Sequence, residues 1–180
     1  MKRMALLATL LILSAGPASA GDPSGDWLVE NGEARIRVAF CSGSLWGVVS
    51  WEKAPGKDSA NPDPAKRSRD TLGMPILIAM KPAGADKWAG QIYNAKDGKM
   101  YQASVSLESD NALKVRGCVL GGLFCGGETW ARFADLEPDA GAAKSKAKSK
   151  PKGKDAAGTG ASDLTASVCS RVDGVPGPSH

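Results

Sequence analysis

The sequence predicts an all-β protein, an eight-stranded antiparallel up-and-down barrel, with a β-sandwich as the alternative. Apolar and polar residues alternate through the middle of the chain, short turn motifs separate the alternating segments, and no window of a dozen residues carries a comparable helical stripe. Alternation with a period of two is typical of strands that bury one face. Eight such strands joined by tight turns can close into a barrel that holds one small ligand and has no edge strands.

The alternation is clearest at residues 34–40, 101–107 and 113–119, where apolar residues recur at every second position. Short turns rich in residues that accept positive φ punctuate the pattern. These turns are Asn31-Gly32, Ser42-Gly43, Gly84-Ala85-Asp86, Asp97-Gly98 and Ser109-Asp110-Asn111. Strands are therefore expected near residues 25–30, 33–41, 44–52, 74–81, 87–94, 99–108, 111–119 and 126–133.

The connection at residues 54–73 is too long for a hairpin and carries three prolines and mixed charge. Long loops inside compact domains are usually functional or mobile. This one could lie over the mouth of a barrel as a lid, or it could be an ordered surface loop without a role. The sequence leaves both readings open.

The first 20 residues predict a secretory signal peptide. Lys2 and Arg3 precede an apolar run at 4–13, and an Ala-Ser-Ala ending precedes Gly21. The run is about half of the ~20 residues that a membrane span needs. We therefore expect a periplasmic or secreted protein, cleaved near Ala20-Gly21, in a compartment where disulfides can form.

The C-terminal residues 136–180 are rich in Ala, Gly, Lys, Pro and Ser and show no apolar periodicity, which predicts a disordered tail. The folded domain is then expected at residues 21–135, where acidic and basic residues are equal in number. A neutral, exported domain argues against nucleic acid as a partner. The tail lysines could touch anionic envelope surfaces, or they could form a solvated linker.

The segment GCVLGGLFCGG, residues 117–127, predicts a hairpin closed by a Cys118–Cys125 disulfide, with a free buried cysteine pair as the alternative. Its central Gly-Gly turn sets the two cysteines opposite each other at a separation that suits a disulfide. A zinc knuckle, a thioredoxin-type pair and a phosphate loop each need residues that are absent here. The sequence leaves open whether Cys41 and Cys169 pair with each other or stay free.

A series of short motifs resembles the bacterial exported proteins grouped as domain of unknown function 2147. The motifs, in chain order, are GDW at 25–27, a Cys-Gly hairpin and GVV at 41–49, DxxNPD at 58–63, RxRDTLG at 67–73, WxGxIYN at 88–94, DGKxY at 97–101, LKVRGC at 113–118 and ETWAR at 128–132. In related sequences a second cysteine often stands where this chain has Trp46. The resemblance therefore leaves Cys41 without its usual partner.

The resemblance implies a lipocalin-like β-barrel and no established biochemical activity. Lipocalins begin with G-x-W, which matches Gly25-Asp26-Trp27, and an arginine after the last strand packs on that tryptophan. Arg132 is the matching residue here. A guanidinium over the Trp27 indole would close the bottom of the barrel through a cation–π contact, which makes the pair structural rather than ligand-binding.

The sequence gives little support for catalysis, for a cofactor or for a bound metal. The sole histidine is His180, in the predicted tail, so a Ser-His-Asp triad or a histidine metal cluster is not expected. The loop aspartates, Asp58, Asp63 and Asp70, are read as turn formers. The loop cations, Lys66, Arg67 and Arg69, could receive an anionic head group or could form a self-paired charge cluster.

Binding of a small hydrophobic or amphipathic molecule is the function that the sequence favours. The candidate ligand-binding residues are Trp46, Trp51, Trp88, Tyr93, Tyr101, Arg67 and Arg69. The aromatic residues of this set could instead fill the barrel as core. In that case, the protein would be a non-catalytic cell-envelope interaction or stress-related protein. A cavity of ~300 Å³ or more with apolar walls would distinguish the two.

Overall fold

The computed structural model describes residues 21–119, 123–133 and 161–175. Its strands form one closed antiparallel barrel in which β1 pairs with β8 and every other pair joins neighbours in sequence. The strands are β1 (Gly25–Leu28), β2 (Ala34–Cys41), β3 (Ser44–Glu52), β4 (Pro75–Gly84), β5 (Lys87–Asn94), β6 (Lys99–Ser109), β7 (Ala112–Val119) and β8 (Phe124–Arg132). The predicted eight-stranded up-and-down barrel is confirmed, and the sandwich alternative is wrong. The predicted signal peptide lies outside the described residues.

The barrel has two unlike ends. The β2–β3, β4–β5 and β6–β7 turns and residues 21–24 lie at one end, which we call the closed end. The β1–β2 and β5–β6 turns, the long loop 53–74 between β3 and β4, the end of β7 and the start of β8 lie at the other, the open end. Inward-facing apolar side chains fill the closed half, among them Trp27, Val38, Leu45, Met80, Trp88, Val105 and Leu113.

A helix, α1 (Ala161–Val172), packs against the outer face of β2 and β3. Val168 and Val172, four residues apart and therefore on one face of the helix, are buried in a cluster with Trp46 and Ile78 on the barrel wall. The prediction of a disordered tail is wrong for this segment, because so short an apolar stripe acquires a partner only in the folded barrel. Residues 134–160 and 176–180 of the predicted tail lie outside the described residues.

Disulfides join Cys41 to Cys169 and Cys118 to Cys125. The second is the hairpin disulfide expected from the sequence, between the paired ends of β7 and β8. The first attaches α1 to the barrel wall, and it resolves the pairing that the sequence left open.

Within the described ranges, no helix has the length and apolar character that a membrane span requires.

Two β-bulges alter the faces to which side chains project. In β2 and β3, Ile36 pairs with Val49 whereas Arg35 pairs with Trp51, so one extra residue, Ser50, is inserted in β3. The insertion reverses the alternation and turns Trp51 to the outside of the barrel. In β4 the register shifts between Ile78 and Lys81, and Ala79 has a positive φ of 46°.

Candidate functional site

A cavity of about 590 Å³ occupies the open half of the barrel. Its floor is formed by Ile36, Val49, Val115 and Trp130, which also belong to the apolar core of the barrel. Above this floor, position 117 of β7 faces the cavity and is a glycine. The neighbouring positions on β7 carry larger side chains. Core packing therefore stops halfway along the barrel and leaves an apolar chamber below the open end.

The mouth of the cavity is polar. Its polar residues come from the β1–β2 turn, the long loop, the β5–β6 turn and the strands beside them: Asn31, Glu33, Glu52, Lys57, Ser59, Thr71, Asn94, Lys96 and, from inside β8, Glu128. A mostly apolar chamber with a few polar groups at its entrance is the usual form of a small-molecule site, and the volume lies in the usual range of about 300–1,000 Å³.

The long loop 53–74 is held beside this mouth by a buried charge. Asp58 has no exposed surface, and its carboxylate accepts hydrogen bonds from the Tyr93 hydroxyl at 2.6 Å and the Asn61 amide at 2.6 Å. The Arg69 guanidinium completes the set, with Nε and a terminal nitrogen each 2.8 Å from Asp58 Oδ2. Tyr93 lies on β5, so this network fastens the loop to the barrel wall.

The network sets the protonation states of its members in opposite directions. Burial by itself would raise the pKa of Asp58, but hydrogen bonds from Tyr93, Asn61 and Arg69, together with the charge of Arg69, outweigh it and lower the pKa. Burial raises the pKa of Tyr93, and its hydrogen bond to the Asp58 carboxylate raises it further. Asp58 is therefore an anion and Tyr93 a neutral donor at neutral pH.

Backbone contacts hold the rest of the loop. Lys57 and Asp70 form an antiparallel bridge, reinforced by an ion pair of 2.6 Å between their side chains. At the β5–β6 turn, an ideal Cβ on Gly98 would lie 1.9 Å from the Ala60 carbonyl oxygen, so only glycine allows the loop to approach this closely. The loop is ordered, and through Lys57, Ser59, Thr71 and Met74 it also forms part of the cavity wall.

Of the seven side chains that the sequence suggested for ligand binding, two line this cavity. They are Tyr93 and Tyr101, on β5 and β6. Tyr101 also donates a hydrogen bond to Asp97 in the adjacent turn. Because both hydroxyls are engaged by carboxylates, the tyrosines offer mainly their rings to the chamber.

The three tryptophans of the predicted set do not line this cavity. Trp46 faces outward, under α1. Trp51 faces outward because of the bulge at Ser50, and the Arg35 guanidinium covers it at 4.7 Å from the ring centre. Trp88 belongs to the core of the closed half, where it contacts Phe40 edge-on and borders a separate hollow of about 830 Å³ beside the start of α1.

The two arginines of the predicted set do not reach the cavity. Arg69 is paired with Asp58 and lies over the Tyr93 ring, and the Arg67 Nε donates to the Asn61 carbonyl at 2.8 Å. Lys66 pairs with Asp63. The self-paired charge cluster is therefore present in the loop, and a receptor for an anionic head group is not what these side chains form.

At the closed end, Arg132 lies over Trp27 with its guanidinium carbon 4.2 Å from the ring centre. The two residues are also partners in the β1–β8 ladder. The guanidinium donates hydrogen bonds to the carbonyls of Asp22, Ser24 and Asp110. This is the closure contact that the resemblance implied, and it joins the N-terminal segment, the last strand and the β6–β7 turn.

Sequence reasoning missed two carboxylates that matter to the site. Asp58 was read as a turn former, since nothing local signals that it is fully buried. Glu128 was not singled out, although the alternation Glu128, Trp130, Arg132 places it on the same face of β8 as Arg132, which was. Extending that alternation one step toward the open end would have identified it.

Comparison with known proteins agrees with this architecture. The solved structure of protein HP1028 from the human pathogen Helicobacter pylori, described as belonging to the lipocalin family, is similar with a TM-score of 0.58 and 22% identity. The match covers 64% of this chain and 86% of that chain, and at this identity it shows the fold alone. No protein among the curated sequences matches the chain.

The resemblance stated from the motifs is confirmed. The family described as "Uncharacterized protein conserved in bacteria (DUF2147)" matches residues 25–132, from the G-x-W motif of β1 to the closing arginine of β8. This is more than half of the chain and all eight strands of the barrel. The chain therefore belongs to the DUF2147 family.

Proposed function

We propose that the protein binds a small hydrophobic or amphipathic molecule in the open half of its barrel. The observation that carries the proposal is the cavity of about 590 Å³ with an apolar floor and a polar mouth. A barrel packed throughout would have no such chamber, so the filled-barrel alternative has less support. An apolar body would be held by Ile36, Val49 and Val115, with a polar group left at the mouth.

We propose that binding is not coupled to catalysis. Asp58, whose carboxyl pKa is lowered, lies beside the cavity, but it is fully buried and already engaged by three side chains. A general acid or base must reach the proton that it transfers. Asp58 is shielded from a ligand in the cavity, which suits a structural role in the loop.

We also propose that the protein works in the periplasm or outside the cell. Two disulfides join all four cysteines of the sequence, and such bonds persist in oxidising compartments. The basic start and apolar run of residues 1–20 support export.

An envelope-interaction role is the second candidate, and one observation favours it. The open end carries exposed apolar side chains beside the disulfide hairpin: Met100, Val119, Leu123 and Phe124. Exposed apolar patches often mark interaction sites. This surface adjoins the cavity mouth through Tyr101 and Gly117, so it is compatible with ligand binding as well.

Native mass spectrometry of the protein purified gently from its own cell envelope tests the binding proposal. We expect a discrete additional mass that disappears on denaturation. A variant that fills the chamber, Gly117→Leu, should lose this mass, because a Cβ at residue 117 meets only side chains at 3.4 Å or more and the larger group then projects into the cavity.

The matched control is Thr129→Leu, which adds the same side chain on the outer face of β8, away from the cavity. It should retain the additional mass. Equal native and denatured masses for the unmodified protein, together with no uptake of added alkyl amphiphiles, would contradict the proposal.

A further inference from the structure

The charged residues that line the cavity differ in whether they have an ion-pair partner. Five of them line it, namely Glu33, Glu52, Lys57, Lys96 and Glu128. Lys57 lies 2.6 Å from Asp70, and Lys96 lies 3.7 Å from Glu33. Both lysines therefore already have a carboxylate partner.

Glu52 and Glu128 have no such compensation. Neither forms an ion pair with any residue in the described ranges 21–119, 123–133 and 161–175. The cavity wall thus carries two carboxylates without a cation partner. The unpaired charge of the cavity wall is therefore negative.

Glu128 is the more significant of the two because of its position. It is half-buried on β8, opposite Val115 in the β7–β8 register and two residues before Trp130 of the cavity floor. Its carboxylate accepts a hydrogen bond from the Trp130 indole nitrogen at 2.5 Å. The indole is a neutral donor, so it orients the carboxylate and leaves the charge uncompensated.

A carboxylate held on an apolar wall without a cation is costly, and an opposite charge brought by a ligand removes part of that cost. An ammonium group can supply both the charge and the hydrogen-bond donors that Glu128 and Glu52 lack. A carboxylate or phosphate head group would meet like charges at the same place. A neutral head group would leave the charges of the two carboxylates without a partner.

We propose that the cavity selects a cationic amphiphile, an amine or ammonium group on an apolar body. The apolar body lies on Ile36, Val49 and Val115, and the ammonium pairs with Glu128, with Glu52 as the second unpaired carboxylate of the wall. This inference rests on the proposed binding function and reverses the anionic preference suggested by the loop cations, since Arg67 and Arg69 are engaged within the loop.

Calorimetric titration of the full mature chain with dodecylammonium, dodecanol and dodecanoate at low ionic strength tests the charge preference. The three probes share one alkyl chain and differ in the charge of the head group. We expect dodecylammonium to bind roughly tenfold or more tightly than dodecanoate, with dodecanol between them, because a charge-assisted hydrogen bond is stronger than one between neutral groups. The difference should shrink as salt is added.

Variants assign the preference to named carboxylates. Glu128→Gln, which keeps the acceptor for Trp130, should weaken dodecylammonium binding roughly tenfold and leave dodecanol binding unchanged. Glu52→Gln should act in the same direction. The control is Glu30→Gln, which removes an exposed carboxylate from the same end of the barrel but does not line the cavity.

The outcomes separate the two proposals. If none of the three probes binds, the binding function itself is wrong, and the charge preference is wrong with it. If the probes bind but dodecanoate equals or exceeds dodecylammonium, or if Glu128→Gln and Glu30→Gln behave alike, binding stands and the cationic preference is overturned.

Discussion

At the scale of single residues, Asp58 is the side chain on which the long loop depends. It is the one carboxylate in the described part of the chain whose side chain has no exposed surface, and three side chains from the loop and β5 converge on it. Removing one partner from a buried ion pair is usually costly, since the other charge is left without compensation. The loop position next to the cavity therefore depends on this charge.

Asp58→Asn should lower the free energy of unfolding by about 3 kcal/mol, because Arg69 loses its charge partner and Tyr93 its strongest acceptor. Urea denaturation followed by tryptophan fluorescence measures the loss. Asp63→Asn is the control, because it makes the same substitution in the same loop at a partly exposed residue. Asp63 caps a short 3₁₀ turn, and asparagine caps equally well. Equal stability of the two variants would show that the Asp58 network does not hold the loop.

Comparison of the unmodified protein with Asp58→Asn at several pH values gives the pH dependence of the stability that Asp58 contributes. The pKa of Asp58 is lowered in the folded protein, so the unfolded chain takes up a proton at higher pH than the folded one. The contribution is fully present above the ordinary aspartate pKa of about 4 and is lost as the pH falls through the lowered pKa. The advantage of the unmodified protein over Asp58→Asn should therefore be constant from pH 7 to about 5 and should shrink below about 4.

At the scale of elements, the attachment of α1 depends on one covalent bond and a small apolar contact. A helix of 12 residues is marginal in water by itself. Burial of Val168 and Val172 against Trp46 and Ile78 contributes about 1.5–3 kcal/mol for each fully buried side chain. The Cys41–Cys169 disulfide keeps the two surfaces together across a sequence separation of 128 residues.

Replacing Cys41 and Cys169 by serine should release α1 and leave the barrel folded. The loop-closure entropy that the bond removes from the unfolded chain is about 5 kcal/mol for so long a loop, against about 2 kcal/mol for the Cys118–Cys125 hairpin. Hydrogen exchange should show loss of protection over residues 161–172, and Trp46 fluorescence should shift to the red. Replacement of Cys118 and Cys125 by serine is the control, and it should leave α1 protected. If α1 stays protected from exchange without the Cys41–Cys169 bond, apolar contact alone holds the helix.

At the scale of the whole molecule, the barrel combines a packed closed half with a hollow open half. Its weakest seam is β1–β8, where two residue pairs, Trp27–Arg132 and Leu28–Ala131, form the ladder. Arg132 strengthens this seam through the indole of Trp27 and three carbonyl groups at the closed end. Closure at this seam keeps the rest of the sheet without a free edge.

Arg132→Ala should lower the free energy of unfolding by about 2–4 kcal/mol, since it removes a cation–π contact and charge-assisted hydrogen bonds together. Thermal and urea denaturation measure the effect. Arg116→Ala, on the exposed outer face of β7, is the control and should stay within about 0.5 kcal/mol of the unmodified protein. A similar loss in both variants would show that the seam does not depend on the Arg132 contacts.

The sequence by itself determined the strands, their turns, the barrel and the Cys118–Cys125 hairpin, because the period of two and the turn residues act between neighbours in the chain. The tertiary structure decided which wall each aromatic side chain faces, since the bulge at Ser50 carries no clear local signal and reverses Trp51. It also decided the burial of Asp58, the docking of α1 and the carboxylates at the cavity. Each of these depends on contacts between segments far apart in sequence, whose free energies exist only once the barrel has closed.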